Sequence, residues 1–353
     1  MKGCMFLEQL TFSIIGCQHM HISIFIEEML SLGHKCAGIY EKENMELLHS
    51  MAEKYELNIV EDIDLLLVSK VDIVGCASIN NEKVDVIELC EQHGKHIMVD
   101  KPIVTNRKDF VRVKNVIDRG NIQVSMLLTE RFRPSLDTLK QKLEQGDIGK
   151  IVSIEMRKPH RLKASERPKW HFSKEQGGGI VIDLFVHDFD LLKWLTGEDV
   201  KNISGYVSKN ILPEYPRFYD VSSLQIVTDN GIICNLYADW YTPNESWTWG
   251  DCRLFVVGTK GTFELRLTGD PLISKDELLI RVTDEEAISL IKYNDVPQTI
   301  TADFINRIQG KNSLVNHEDI LSATKATLDA DDQAHYINNL KSVDNGKDAL
   351  MNE

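Results

Sequence analysis

The sequence has no Cys-x-x-Cys pair, and its seven cysteines are scattered along 353 residues. An odd number of cysteines without regular spacing is not the pattern of a disulfide framework. Several of them lie inside apolar runs, as Cys76 does between Val74 and Ala77. This usage indicates buried free thiols in a reducing compartment.

The sequence also lacks a long apolar segment. Asp64, Lys70 and Asp72 interrupt its most apolar region well short of the roughly 18 residues that a membrane helix needs. The N-terminal residues contain no apolar core of a signal peptide. Acidic residues outnumber basic ones by 54 to 40. The resulting formal charge of −14 disfavours binding to nucleic-acid phosphates and to anionic membranes. We therefore expect a cytoplasmic protein with no nucleic-acid or membrane partner.

No internal repeat and no low-complexity tract is present in the sequence. Hydrophobic residues make up 42% and charged residues 27%, as in ordinary globular proteins, and 353 residues exceed a single ordinary core. We expect two domains, over residues 1–125 and 126–340, followed by a polar tail over residues 341–353.

Short apolar runs alternate with helical stretches in the first 125 residues. The pattern predicts strands over residues 11–16, 35–41, 71–78, 96–99 and 122–128, and helices over residues 20–32, 44–55, 81–92 and 106–119. Such alternation implies right-handed crossovers between parallel strands. The predicted fold class is α/β, and this first domain has a Rossmann-type parallel sheet.

The second half has strand-like runs that are joined by turns. The pattern predicts helices over residues 134–144, after the glycines at 177–179 and over residues 317–340, and strands over residues 151–156, 200–207, 221–228, 231–240, 253–257 and 262–267. Asp229-Asn230-Gly231 is typical of a hairpin, because Asn-Gly supplies the positive φ angles of a tight turn. This domain is predicted to be α+β with a largely antiparallel open sheet.

The turn after the first strand reads Gly16-Cys17-Gln18-His19-Met20-His21, where a dinucleotide-binding fold carries G-x-G-x-x-G. Only the first glycine is present, but the following helix still offers N–H groups at its N-terminus to a diphosphate. Glu41 ends the second strand, where an acid accepts from a ribose 2′-hydroxyl and repels a 2′-phosphate. These residues predict a dinucleotide site that prefers NAD to NADP. The alternative for Glu41 is a solvated residue in the charged run 41–43.

His19 and His21 allow a second interpretation, because two histidines one residue apart after a first strand also begin the zinc site of barrel-type metallohydrolases. A metal needs further ligands, and His93, His96 and His187-Asp188 stand at no familiar ligand spacing. We therefore predict no metal site and expect His21 to be a polar residue at a helix start near the phosphates.

Two further segments carry candidate chemistry. Asp100-Lys101-Pro102 follows a strand, at the edge where open α/β sheets bind ligands, and a lysine there can donate to a substrate oxygen. In the segment from Gly177-Gly178-Gly179 to His187, the glycines free the backbone to approach a ligand, and a helix would place Asp183 and His187 on one face. Histidine can take the hydroxyl proton during alcohol oxidation. The alternative for Lys101 is an ordinary surface residue. The alternative for the segment 177–187 is a helix N-terminus with polar residues and no role in function.

Together these motifs resemble the Gfo/Idh/MocA oxidoreductase family (glucose–fructose oxidoreductase, inositol dehydrogenase and relatives), in the same order over residues 10 to 340. The resemblance extends to Ser78-Ile79-Asn80, where the family has a T-P-N turn, and to the connecting segments Arg131-Phe132-Arg133-Pro134 and 146–150. The sequence departs from the family at four positions. Asp100 replaces a glutamate, Phe185 stands where many relatives have glycine, and Gln18 and His21 replace fingerprint glycines.

The resemblance implies an N-terminal NAD-binding domain, a C-terminal domain whose open sheet joins a homodimer or homotetramer, and reversible oxidation of a sugar, cyclitol or related polyol. Lys101 would hold the reacting oxygen, His187 would be the acid/base and Asp183 would orient the substrate. The cofactor-binding residues would be Gly16, Gln18, His19, Met20, Glu41, Ser78, Asn80, Asp100 and Lys101. Two alternatives remain open: a non-catalytic ligand sensor on the same fold, and a glycosidase that uses bound NAD for transient oxidation.

The segment from Arg157 to His171 carries six Lys or Arg and two His against one acid. It leads into the glycine run, so we expect it to overhang the site and to attract a carboxylated or phosphorylated sugar. The predicted substrate-binding residues are Arg131, Lys158, His160, Trp170, His171 and Asp183. The alternative is that these charges pair with acids of a neighbouring subunit.

Overall fold

The structure is a computed structural model that describes residues 9–68 and 70–340. The chain forms two compact units, Met1–Leu128 with Gln298–Leu321 and Thr129–Pro297 with Ser322–Glu353. The return of residues 298–321 to the first unit is not something that the strand–helix alternation predicts. The polar tail predicted at 341–353 lies outside the described residues. Within the described part, no helix combines the length and the apolar content required to span a membrane.

The first unit contains a five-stranded sheet in the order β2-β1-β3-β4-β5, and every neighbouring pair is parallel. The strands are β1 (Thr11–Cys17), β2 (Lys35–Tyr40), β3 (Ile73–Ala77), β4 (His96–Val99) and β5 (Val124–Met126). Every residue of β3 is buried, as its continuous apolar run predicts. The Rossmann-type prediction is confirmed.

Five helices connect these strands: α1 (Ile22–Ser31), α2 (Met45–Tyr55), α3 (Ile63–Val68), α4 (Lys83–Gln92) and α5 (Arg107–Arg119). Two of them begin at asparagines whose side chains accept a backbone N–H of the first turn: Asn44 from Leu47, and Asn106 from Asp109. The sequence pattern missed α3, because its six residues are too few to show a helical period.

The second unit contains a nine-stranded sheet, with the helices α6 (Pro134–Glu144), α7 (Lys174–Gly177), α8 (Gly179–Leu184) and α9 (Val186–Thr196). Its first eight strands in chain order are β6 (Ile151–Pro159), β7 (Val200–Lys209), β8 (Val221–Thr228), β9 (Ile233–Asp239), β10 (Arg253–Gly258), β11 (Gly261–Arg266), β12 (Leu278–Thr283) and β13 (Ser289–Ile291). Most neighbours are antiparallel, but β6 and β9 are parallel. The predicted hairpin joins β8 to β9, with Gly231 at φ +90°.

The long helix predicted over residues 317–340 is wrong at its C-terminal end. After α10 (Ile300–Ile308), the helix α11 (His317–Gln333) ends early, and β14 (His335–Asn338) adds a ninth strand, parallel to β7. Tyr336 and Ile337 have high strand propensity, and pairing with β7 satisfies the backbone groups that a longer helix would have used. The ring of Tyr336 also packs edge-on against Tyr219, at 4.7 Å between centroids.

Three histidines of the first unit accept hydrogen bonds from backbone N–H groups. The N–H of Leu10 donates to His34 Nδ1 (3.2 Å), that of Gln123 to His96 Nδ1 (2.9 Å) and that of Val124 to His317 Nε2 (3.2 Å). Burial lowers the pKa of all three, and the neighbouring charge of Arg307 helps to lower that of His317 to about 4. Only the neutral ring can accept, so folding requires these imidazoles to stay unprotonated.

This arrangement predicts acid destabilisation of the first unit. For a histidine whose pKa is lowered by folding, the stabilisation is complete above the unfolded pKa of about 6.5 and is lost as the pH falls through the folded pKa of about 4. In a His317→Gln variant the amide oxygen can still accept from Val124 without titrating. We expect this variant to lose about 1 kcal/mol less unfolding free energy than the parent over that range. Urea unfolding at a series of pH values measures this, and parallel curves for the two proteins would contradict it.

Candidate active site

The end of β1 packs so closely on the residue that follows β3 that position 16 must be glycine. Gly16 has a φ of +81°, and a Cβ there would lie 2.2 Å from Ser78 Oγ and 2.6 Å from Ser78 N. Two residues later, the N–H of Gln18 donates to the carbonyl of Ala77 at 2.7 Å. The turn is therefore fixed to β3 although two of the three fingerprint glycines are absent.

Glu41 is buried beside this turn, with 7% of its surface exposed. Its Oε1 accepts from Gln18 Nε2 (2.7 Å) and from the N–H groups of Lys42 and Glu43 (both 2.9 Å), whereas its Oε2 accepts from the N–H of Cys17 (2.7 Å). A carboxylate oxygen has two lone pairs, so Oε2 can take a second donor such as a ribose hydroxyl. Glu41 is not the solvated residue of the alternative interpretation.

A cleft of about 360 Å³ lies at the carboxyl ends of β1, β2 and β3. Four predicted cofactor-binding residues line it: Gly16, Gln18, Glu41 and Ser78. No sequence motif marks the other lining residues, which are Ile15, Tyr40, Lys42, Ile63, Ile79, Glu82, Asp85, Val86 and Leu89. Five of these nine belong to α3 and α4 or stand just before α4, so only the fold brings them to the cleft. Of the remaining predicted residues, Asn80 is buried and Met20 is 53% exposed.

The two histidines of the turn meet Asp100, which follows β4. Asp100 Oδ2 lies 3.2 Å from His19 Nδ1, and Oδ1 lies 3.2 Å from His21 Nδ1. Burial would raise the pKa of the Asp100 carboxyl, but the charges of His21 and Lys83 and hydrogen bonds from both histidines hold it well below its usual value. Burial and the neighbouring His21 lower the pKa of His19 to about 4. Asp100 is therefore a carboxylate at neutral pH.

Lys83 fixes the loop that carries Lys101, and the sequence analysis missed it. Its side chain is fully buried, and its Nζ donates to three successive carbonyls, those of Asp100 (2.8 Å), Lys101 (3.4 Å) and Pro102 (3.1 Å). The peptide bond before Pro102 is cis, and Lys101 is 8% exposed. A sequence signal existed, because Lys83, Ile87 and Cys90 form one apolar stripe of α4 with helical spacing.

In the second unit, Asp183 and His187 lie on two helices that follow each other closely. Phe185 separates α8 from α9, and its N–H still donates to the carbonyl of Val181 at 3.1 Å. Gly178 adopts a φ of +88° between α7 and α8. A Cβ on Gly177 would lie 2.8 Å from the carbonyl oxygen of His171, so this glycine is needed for loop packing as well. Asp183 is half-buried, and His187 is 8% exposed.

Two buried ion pairs hold α9, and both involve predicted substrate-binding residues. Arg131 donates twice to Asp190, at 2.9 and 2.6 Å, and Lys158 Nζ lies 2.7 Å from Asp188 Oδ1. Burial lowers the pKa of Lys158, but the charges of Asp188 and Glu130 outweigh it and raise the pKa above its usual value. These contacts position the helix of His187. Substrate contacts of Arg131 and Lys158 stay a prediction.

The basic segment 157–171 packs on Trp240, which follows β9. The rings of His160 and His171 lie 5.7 and 5.2 Å from that of Trp240, and the Arg167 guanidinium lies over it at 5.2 Å. Trp170, also predicted to contact the substrate, is buried and lies beside His171. Burial lowers the pKa of Arg167, and the charge of Asp183 partly opposes this. The charge of Asp183 therefore acts on Arg167, whose guanidinium lies over the same ring that the two histidines contact.

The two units thus define a class: a parallel α/β domain with a nucleotide-sized cleft at its strand ends, followed by an α+β domain with an open sheet. A family model described as "Oxidoreductase family, NAD-binding Rossmann fold" matches residues 10–127, and one described as the GFO/IDH/MocA C-terminal domain matches residues 136–264. The chain belongs to the Gfo/Idh/MocA family of oxidoreductases, whose Rossmann domain binds a nicotinamide dinucleotide.

The chain is 27% identical over 213 residues to the rhizopine catabolism protein MocA of Rhizobium meliloti, covering 59% of this chain and 63% of that protein. It is 25% identical over 254 residues to the myo-inositol 2-dehydrogenase of Thermotoga maritima, covering 69% and 67%. The matches span between 37% and 67% of the first curated relatives' own length. A solved structure from Erwinia carotovora atroseptica is alike in fold, with a TM-score of 0.83 and 21% identity over 93% of this chain and 99% of that one.

The position of Lys83 predicts a stability effect. A Lys83→Met variant keeps the aliphatic stem but leaves the carbonyls of Asp100, Lys101 and Pro102 without their shared donor. We expect a loss of about 1–3 kcal/mol in unfolding free energy, because buried acceptors without a partner cost that much. Urea unfolding measures it, with the exposed Lys108→Met as a control that changes little. Equal stability of both variants would contradict the assigned role.

Proposed function

We propose that this protein is an NAD-dependent oxidoreductase that transfers a hydride between nicotinamide and a CH–OH carbon of a sugar, cyclitol or related polyol. The observation that carries the proposal is the buried Glu41 carboxylate, which keeps an acceptor site in a cleft at the carboxyl ends of β1–β3. This is where open parallel sheets bind nucleotides, with an acid on the ribose. The family match supports the same assignment.

The residues of the first unit fit the cofactor. Gly16 lets the chain lie directly against Ser78, and Ile63, Ile79 and Leu89 give the cleft an apolar wall suited to an adenine ring. The N–H groups of Ser23 and Ile24 already donate to Met20 and His21, so α1 offers fewer N–H groups to a diphosphate than a glycine-rich turn does. His19 and His21 would supply further donors there.

The reacting alcohol would be held by Lys101 and would give its proton to His187. When bound, nicotinamide supplies the hydride acceptor. Lys101 donates to the hydroxyl oxygen and stabilises the negative charge that develops as the proton leaves. His187 accepts that proton, and Asp183 accepts a hydrogen bond from a neighbouring hydroxyl and so orients the ring.

Two features of the second unit favour a polyhydroxylated substrate. Trp240 is 4% exposed, and its Nε1 donor has no acceptor among the residues that the structure describes. The guanidinium of Arg167 lies over the same ring, and the charge of Asp183 acts on it. Such donors beside an aromatic face suit a sugar or cyclitol, including a carboxylated one. The myo-inositol 2-dehydrogenase among the relatives points to the same class.

We also propose a homo-oligomer, a dimer or tetramer, formed through the sheet of the second unit. That sheet exposes large apolar side chains on several strands: Val152, Tyr206, Ile233, Val257, Val282, Leu290, Tyr336 and Ile337.

We place the protein in the cytoplasm, in keeping with the six free cysteines among the described residues.

Loss of either reacting group should abolish turnover. We expect NADH formation with at least one member of a panel of inositols, aldoses and uronic acids, and a fall in kcat of about 10²–10⁴-fold or more in Lys101→Ala and in His187→Ala. The exposed His93→Gln serves as the matched control and should keep the parent rate. Circular dichroism checks folding. Full turnover in both alanine variants would contradict the assigned roles, and NAD and sugar binding without any turnover would favour a sensor.

Glu41 should decide which dinucleotide binds. Glu41, Glu82 and Asp85 face the cleft, and Lys42 is paired with Glu82 at 3.1 Å, so a 2′-phosphate meets net negative charge. We expect NAD to bind at least about 10-fold more tightly than NADP, and Glu41→Gln to weaken NAD binding and narrow that ratio. Calorimetric titration of both dinucleotides measures this. A parent protein that prefers NADP would contradict the proposal.

A further inference from the structure

We propose that His19, His21 and Asp100 form a binding site for a divalent transition-metal ion of the zinc class. The three side chains belong to one unit and come from the turn after β1 and the loop after β4. Among the described residues they are the only cluster of this kind, and their potential ligand atoms all lie within 4.8 Å of one another. The sequence spacing does not indicate this site, because the third ligand, Asp100, is 79 residues away from His21.

The distances from Asp100 to the two histidines are close to those between neighbouring ligands of a metal ion. Each histidine presents Nδ1 at 3.2 Å from a different oxygen of the Asp100 carboxylate. Zinc binds imidazole nitrogen and carboxylate oxygen at about 2.0–2.2 Å, which in a tetrahedron separates neighbouring ligand atoms by about 3.4 Å. The two rings stand at 82° to each other with centroids 4.1 Å apart, so both nitrogens can face one point without stacking.

The surroundings hold these ligands in place. The backbone carbonyl of Asp100 accepts a hydrogen bond from Lys83, and the backbone N–H of Asp100 donates to the carbonyl of Cys76 at 2.8 Å. The turn that carries the histidines is fixed by the bonds of Gln18 to Ala77 and to Glu41. Such support orients metal ligands and lowers the cost of bringing them together.

Three protein ligands leave one position of a tetrahedral ion open, which is typical of zinc sites that bind water or a further ligand. The histidines keep 31% and 42% of their side-chain surface exposed, so the ion is accessible from solvent. The charge of Lys83 lies near Asp100 and that of Lys101 acts on His19, and both oppose binding of a cation. We therefore expect weaker binding than in a closed structural zinc site.

The same contacts also describe a metal-free cluster in which both histidines donate to Asp100, and metal titration distinguishes the two. Untagged full-length protein is treated with EDTA, desalted and titrated with CoCl₂, and the visible spectrum is recorded. ZnCl₂ is then added to displace the cobalt. We expect one Co²⁺ per chain in the parent and in the exposed His93→Gln control, and complete displacement by Zn²⁺. The His19→Gln/His21→Gln double variant should bind none.

A parent protein that binds no Co²⁺ or Zn²⁺ would overturn the site. A double variant that binds the same equivalent would overturn it too, because the ion would then be held elsewhere, for example by thiols. If the double variant does not fold, the single His19→Gln variant replaces it and should bind at least about 10-fold more weakly; unchanged affinity overturns the proposal. No dinucleotide is present in these titrations, and dinucleotide binding is measured with EDTA, so this proposal and the proposed function can fail separately.

Discussion

Asp100 joins the two segments on which the first unit's candidate site depends. Its carboxylate contacts both histidines of the turn after β1, while its backbone carbonyl shares the buried Lys83 with Lys101 and Pro102. A buried carboxylate without partners would be protonated or would destabilise the fold. Here the surrounding donors keep it charged. The turn and the lysine loop are therefore held as one polar network at the strand ends.

This network takes over part of what glycines do in a typical dinucleotide-binding turn. Gly16 alone provides the close approach to β3, and a side-chain bond from Gln18 to Glu41 closes the turn on the other side. Polar contacts fix the turn in place of glycine packing. The cost is fewer backbone N–H groups for an anion, and two imidazoles stand in their place. Polar contacts also fix the candidate site of the second unit, because buried ion pairs to Asp188 and Asp190 hold the helix that carries His187.

The sequence predicted long periodic elements well, because hydrophobic period and caps are local signals. α6 matches its predicted bounds, and β8 does as well. It missed the short elements α3, β12 and β13, and it missed β14, whose pairing with β7 joins distant segments. Within the candidate site, recognisable motifs indicate Gly16, Glu41 and Asp100, and their roles stay predictions. No motif indicates Lys83 or the cleft wall on α3 and α4, because their roles arise only when helices pack against strand ends.

The central claim is that a nicotinamide dinucleotide binds at the carboxyl ends of β1–β3. A crystal structure of the protein grown with saturating NAD tests it most directly. The account predicts the adenosine ribose within hydrogen-bond distance of Glu41 and the diphosphate over residues 16–21. Electron density for NAD elsewhere, or an empty cleft at saturating NAD, would contradict it.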